Sequence, residues 1–72
     1  MKIYNVAVIY GDQEFEGYAV LAEDGKRARE LLAGHLSGQG SYQYLQIRGT
    51  VQGSFNGWAR VVGKMGEPDT WR

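Results

Sequence analysis

The sequence contains no cysteine and only one proline in its 72 residues. Without cysteine, a disulfide framework and a thiolate zinc site are both excluded, and the chain suits a reducing compartment. The longest apolar runs, residues 6–10 and 18–22, are five residues each, whereas a membrane-spanning helix needs about 20. We therefore expect a cytoplasmic protein with no membrane-inserted or targeting segment.

The chain also has no excess charge, because eight Lys and Arg residues balance eight Asp and Glu residues. Residues 1–36 hold six acids and four bases, and residues 37–72 hold two acids and four bases, so the halves carry −2 and +2. Nucleic-acid-binding proteins concentrate basic residues, since neutralising phosphates supplies most of their affinity. This weak charge polarity makes nucleic acid a poor candidate as the partner.

Two strand-rich segments flank one predicted helix. The first is a β-hairpin over residues 2–22, in which β-branched and aromatic residues surround the turn-forming Gly11-Asp12-Gln13. Asp24 is a suitable N-cap for a helix over residues 24–37. The apolar face of that helix repeats at spacings of three and four residues, at Ala28, Leu31, Leu32, His35 and Leu36. This spacing assigns His35 to the helix end or the core edge rather than to catalysis.

A second hairpin is predicted over residues 42–63. Residues 42–55 alternate between apolar and polar types, and Asn56-Gly57 favours a two-residue type I′ turn. That turn sets two cross-strand pairs, Phe55 with Trp58 and Val51 with Val62. Residues 64–72 lose the alternation and are expected to form a tail, docked by Trp71.

These elements predict one α+β domain over residues 1–72, with a two-layer ββαββ fold in which one helix packs on one face of a four-stranded antiparallel sheet. The uncovered face of such a sheet should alternate with polar residues, but the first strand is apolar on both faces. We choose the parity that keeps Asn5 out of the core. This choice places under the helix Tyr4, Val6, Val8, Phe15, Ala19 and Leu21.

The face opposite the helix would then be rich in apolar, tyrosine and arginine side chains, from Ile3, Ile9, Tyr18, Val20, Tyr42, Tyr44 and Arg48. Protein interfaces enrich tyrosine and arginine, and large exposed apolar patches usually mark contact sites. A protein-binding surface is therefore the leading hypothesis. In the alternative arrangement, the first strand is simply central, and the tail with Met65 and Trp71 folds over this face.

The acidic residues Asp12, Glu14 and Glu16 lie close together in the first hairpin. They form either a solvated hairpin tip or a patch that meets Lys or Arg residues of a partner. The predicted partner-binding residues are these three together with Ile9, Tyr18, Tyr42, Tyr44 and Arg48.

Little catalytic chemistry is present in the sequence. It has one histidine and no cysteine, and Ser37, Ser41 and Ser54 lie in or beside glycine-rich turns, so no nucleophile and base can be paired. A metal would have to be held by carboxylates and a lone imidazole, and the glycine spacings match no phosphate-binding or dinucleotide-binding loop. We expect a non-enzymatic protein with no metal and no cofactor.

Residues 1–8 (MKIYNVAV), a second strand ending in VLAED at residues 20–24, and a helix with ARELL at residues 28–32 form a pattern of one sheet plus one helix. This pattern resembles small stand-alone proteins of phages and mobile elements, some of which are anti-CRISPR proteins. It covers about residues 1–36 and transfers no functional residue, and the neutral chain departs from strongly acidic DNA mimics. The resemblance implies a single-domain inhibitor that occupies a surface of a defence complex in the host cytoplasm.

Two other functions remain open from the sequence. Tyrosines on an open sheet could stack bases, as in a small RNA- or single-strand-binding protein, although Tyr42-Gln43-Tyr44 is the only echo of the RNA-recognition strand signature. Alternatively, a homodimeric structural or accessory protein would use the same apolar face on a second copy by two-fold symmetry. A domain of this size has a thin stability margin, which favours self-association.

Overall fold

Four strands and one α-helix make up the computed structural model, which describes residues 1–37, 42–52 and 55–71 without the side chains of residues 14–16 and 70. The elements in chain order are β1 (Lys2–Tyr10), β2 (Gln13–Ala22), α1 (Gly25–His35), β3 (Tyr44–Val51), β4 (Arg60–Lys64) and a 3-10 turn at Pro68–Thr70. All strand pairs are antiparallel, in the order β3-β1-β2-β4, and α1 packs on one face. This confirms the predicted two-layer α+β fold of a small single domain. Within the described ranges, no helix is long and apolar enough to cross a bilayer.

The β1–β2 hairpin closes through a two-residue turn at Gly11 and Asp12, since Tyr10 pairs with Gln13. Gly11 has φ +59°, and a type II′ hairpin turn requires a positive φ at its first central position. Glycine adopts this conformation without the steric cost that a Cβ brings. The predicted hairpin over residues 2–22 is confirmed.

A β-bulge in β2 decides which side chains of that strand face α1. The register shifts between Val6 and Val8, so that two residues of β2 lie opposite Ala7. One of the two is Gly17, whose missing side chain leaves room for the Asn5 Oδ1 atom and the Val6 carbonyl oxygen. A Cβ at this position would lie 3.2 Å from that carbonyl oxygen and closer still to Oδ1 of Asn5.

The bulge corrects part of the predicted face assignment. Without it, alternation from the turn would place Ala19 and Leu21 under the helix, as the sequence predicts. One extra residue reverses the parity, so these two side chains lie on the other face. The helix-facing residues of β2 after the bulge are instead Tyr18, Val20 and Ala22. The prediction for β1 is confirmed at Tyr4, Val6 and Val8, and the side chain of Phe15 lies outside the described part of the chain.

The helix α1 begins after its predicted N-cap, because Oδ1 of Asp24 accepts a hydrogen bond from the Arg27 backbone N–H at 2.8 Å. His35 is the last residue of α1 and is exposed, which agrees with its predicted place at the helix end. The charged residues of α1 are exposed as well. The core between α1 and the sheet consists of Val6, Val8, Val20, Ala22, Ala28, Leu32 and Leu36.

The sheet face opposite α1, which we call the back face, has a core of its own. Its fully buried residues are Ile3, Ala19 and Leu21. The side chains that pack on them are Val51, Phe55, Val62, Met65 and Trp71. Trp71 holds this cover in place, since its Nε1–H donates to the Lys64 carbonyl at 2.8 Å and its ring centroid lies 6.4 Å from that of Phe55. The tail therefore folds over the back face, which is the alternative arrangement, and its docking by Trp71 is confirmed.

The predicted second hairpin over residues 42–63 is wrong. The strand β3 pairs with β1, and β4 pairs with β2, so β3 and β4 lie on opposite edges of the sheet. Val51 pairs with Ile3 rather than with Val62. Between β3 and β4, Phe55 packs on the back face. The Asn-Gly pair is a local turn signal, and the need to cover both faces of β1 outweighs it.

Two glycine substitutions should have opposite effects on stability. In Gly34→Ala, the new Cβ meets no atom within 4 Å and the residue is helical, so the free energy of unfolding should rise by about 0.5–1 kcal/mol. In Gly17→Ala, the Cβ meets Asn5 and the Val6 backbone, so the free energy of unfolding should fall by roughly 1–3 kcal/mol. Urea unfolding followed by circular dichroism measures both values, and equal effects would contradict the packing at the bulge.

Replacing Trp71 tests the cover of the back face. Trp71→Ala removes a partly buried ring and its hydrogen bond, and we expect the free energy of unfolding to fall by roughly 2–4 kcal/mol. Trp71→Phe keeps an aromatic contact with Phe55 but loses the donor to the Lys64 carbonyl, so it should cost only about 1 kcal/mol. Equal losses in the two variants, measured by thermal unfolding, would mean that the ring itself adds nothing.

Candidate protein-binding surfaces

Three residues predicted on one binding face lie against or within the core instead. Tyr18 and Tyr42 pack against the core beneath α1, and Ile9 is buried. Tyr18 follows the bulge in β2, and Tyr42 precedes the first residue of β3, so neither obeys the predicted alternation. Tyr44 pairs with Ile9 and therefore lies toward the back face, away from Tyr42. The shared stacking platform that base binding would use is not formed.

The acidic candidates belong to the β1–β2 hairpin. Asp12 is exposed in the turn. The side chains of Glu14 and Glu16 lie outside the described part of the chain. The role of these three residues in binding stays a prediction.

The remaining predicted partner-binding residues, Tyr44 and Arg48, lie on the edge strand β3. No described residue pairs with the outer side of β3. Its exposed side chains include Tyr44, Gln46 and Arg48, and the half-buried Leu45 and Ile47 between them pack against the core beneath α1. We call this surface, residues 44–48, the β3 edge. Because an unpaired strand edge presents backbone N–H and C=O groups to another chain, the β3 edge is one candidate surface.

A second candidate surface is the segment of residues 55–60, which we call the Trp58 loop. Trp58 is 75% exposed and is the most exposed large apolar side chain in the described part of the chain. Nη1 of Arg60 donates to the Trp58 carbonyl at 2.9 Å and to the Asn56 carbonyl at 3.5 Å. Cζ of Arg60 lies 5.3 Å from the Trp58 ring centroid, within the range of a cation–π contact.

Gly57 allows Arg60 to approach this loop. Its φ is +106°, and a Cβ there would lie 2.8 Å from Nη1 of Arg60. The guanidinium therefore reaches across the loop and holds both the backbone and the indole. Tryptophan and arginine are the residue types most enriched among interface hot spots, and holding them in place beforehand lowers the entropy cost of binding.

Sequence reasoning missed Trp58 because the predicted second hairpin placed it in the sheet opposite Phe55. The register of that hairpin depended on a single turn pair, and it assigned Trp58 to a strand rather than to a loop. The signal available in the sequence was the residue types themselves, a tryptophan and an arginine two residues apart after Asn-Gly. Their exposure became visible only with the strand order.

An open cleft of about 360 Å³ lies between the end of α1 and β4. Its walls carry both apolar and charged side chains, from Tyr18, His35, Val61, Val62, Gly63, Lys64 and Glu67. The rings of Tyr18 and His35 meet edge to face, with centroids 5.8 Å apart. None of the described polar or charged residues is buried, so the charged groups of the cleft remain in contact with water. The cleft therefore offers polar contacts at its rim to a ligand or a partner.

No group of three or more His, Cys, Asp or Glu residues in the described ranges is placed to hold a metal ion. No family model matches the chain, and no curated protein or solved structure matches it significantly. The exposed surfaces of the fold are therefore the features that indicate a function.

Arg60→Ala should release the Trp58 side chain while changing stability little. We expect a faster decay of the fluorescence anisotropy of Trp58, and a loss of only about 0.5–1 kcal/mol in the free energy of unfolding, the usual range for an exposed cation–π pair. The measurement uses a Trp71→Phe background, so that Trp58 is the one fluorescent tryptophan. Lys64→Ala, an exposed cation on the same strand, is the control and should leave the decay unchanged. An unchanged decay in Arg60→Ala would mean that Arg60 does not hold the ring.

Proposed function

We propose that the protein is a non-enzymatic inhibitor that binds another protein and blocks it sterically, with Trp58 as the anchor of the interface. The observation that carries this proposal is the 75% exposure of an indole that Arg60 holds in place. Leaving apolar surface in water costs about 25 cal/mol per Å². Trp71 of the same chain is packed on the back face, whereas the contacts of the Trp58 loop keep Trp58 outside.

The geometry of this pair indicates the chemistry of a suitable partner. Arg60 lies over one face of the Trp58 ring, so a partner would contact the other face and the edges of the indole. An apolar pocket fits the ring, and carboxylate or carbonyl oxygens at the rim of that pocket fit the guanidinium. Little side-chain freedom is lost on binding, because the two side chains already contact each other.

The target we propose is a host defence assembly such as a CRISPR complex, reached in the host cytoplasm. Support comes from the resemblance of residues 1–36 to small phage-encoded inhibitors. Steric blocking requires only that the protein cover a surface that the target needs. A chain of 72 residues can do this without any catalytic group.

Trp58→Ala tests the anchor. In cells with an active CRISPR system, expression of the unaltered protein should raise the plating efficiency of a targeted phage. Trp58→Ala should weaken binding by about 30-fold or more and abolish this protection, because hot-spot residues contribute about 2 kcal/mol or more. The free energy of unfolding should fall by no more than about 0.5–1 kcal/mol, the loss expected for the cation–π contact with Arg60, since the side chain is otherwise exposed.

A matched control is the double variant Tyr44→Ala/Arg48→Ala, which removes an exposed aromatic residue and an exposed arginine at the β3 edge. It should retain protection. If this variant abolishes protection while Trp58→Ala retains it, the partner binds at the β3 edge and Trp58 is not the anchor. No protection by the unaltered protein against several defence systems would reject the proposed target.

A further inference from the structure

The outer side of β3 lacks most of the features that prevent an edge strand from pairing with another chain. Natural sheets protect their edges with lysines, prolines, short strands or bulges. The strand β3 is eight residues long and contains neither lysine nor proline. Its one bulge lies at Arg48, where the register against β1 shifts between Ile47 and Gly49. The stretch from Tyr44 to Ile47 is therefore a regular and accessible template for another strand, and Arg48, at the bulge, forms its end.

We propose that β3 pairs antiparallel with β3 of a second copy of this chain, around a two-fold axis that passes through Gln46. The axis is perpendicular to the sheet, so the two sheets join into one and both α1 helices lie on the same side. This inference goes beyond the proposed function and does not depend on it, because β3 and the Trp58 loop belong to different parts of the fold. The partner is a second copy, and the surface is the β3 edge.

The axis through Gln46 brings complementary side chains together. Leu45 of one copy lies opposite Ile47 of the other, on the side of the sheet that α1 covers. The two-fold symmetry forms this pair twice. Both residues are half-buried at the border of that core, and a second strand would complete their cover. Tyr44, which is 52% exposed, lies opposite Arg48 of the other copy, a pairing that suits a cation–π contact.

Neighbouring registers match less well, and this selects the axis through Gln46. Residues that lie opposite each other in an antiparallel pair must point to the same face of the sheet. A symmetric pair of strands meets this condition only if one residue lies opposite its own copy on the two-fold axis. The possible axes are therefore one residue apart. An axis through Leu45 sets Ile47 opposite the polar Gln43, and an axis through Arg48 sets the two guanidinium groups opposite each other. An axis through Ile47 sets Leu45 opposite Gly49, which leaves the leucine without a side-chain partner.

The paired segment is short, so we expect a reversible dimer. Five residues from each copy bury less surface than the roughly 1,200–2,000 Å² of standard stable interfaces. The fraction of dimer should therefore change over about a hundredfold range of protein concentration, as measured by analytical ultracentrifugation.

The position of Gln46 on the axis makes a charge-reversal experiment decisive. Gln46→Lys alone and Gln46→Glu alone each place two like charges opposite each other, so each should weaken the dimer by about tenfold or more. A mixture of the two variants places Lys opposite Glu and should restore dimers, detected as heterodimers by native mass spectrometry. Lysine on a strand edge blocks pairing in general, so the restored heterodimer is the result specific to this register.

Gln13→Lys and Gln13→Glu are the matched controls, because Gln13 is an exposed glutamine in β2, separated from β3 by β1. Both control variants should dimerise like the unaltered protein. A monomer at all concentrations would overturn the proposal, as would a Gln46→Lys variant that dimerises normally. It would also fail if the mixed Gln46 variants did not associate, or if Trp58→Ala abolished the dimer and Gln46→Lys did not.

Discussion

β1 carries apolar side chains on both of its faces, and the fold keeps both faces from water. Val6 and Val8 point toward α1, Ile3 lies in the back-face core, and alternation places Ala7 and Ile9 on the same side as Ile3; all five are buried. A single helix covers only one side of a sheet. Phe55, which follows β3, and Trp71, which follows β4, both pack on the back face, where their rings meet. With β3 and β4 on opposite edges, the segment between them brings Phe55 to the back face.

The bulges are the second constraint, because each one changes which side chains a strand presents. Gly17 makes the bulge of β2 possible by leaving space for Asn5, and the shift turns Tyr18 and Val20 toward α1. In β3, the bulge at Arg48 changes the parity so that Ile47 faces α1 and Val51 faces the back face. In β2 and β3 the alternation is thus interrupted at a bulge, and the bulge decides which residues enter each core.

With both faces of β1 covered, the exposed features that remain are at the margins of the sheet. The Trp58 loop leads into β4, and the β3 edge lies at the other side. A partner recognises a strand edge through its backbone and a few side chains, whereas an exposed tryptophan such as Trp58 inserts into a pocket of its partner. The two surfaces therefore suit different partners, and binding at one edge leaves the other edge available.

Local features of this protein were determined by the sequence alone. The β1–β2 hairpin, the N-cap at Asp24 and the apolar face of α1 follow from turn chemistry, capping and periodicity, which act over a few residues. Strand order, the bulge at Gly17 and the exposure of Trp58 were decided by tertiary structure. They depend on burying both faces of β1, a long-range requirement that no count of alternating residues contains, because one inserted residue reverses every side chain beyond it.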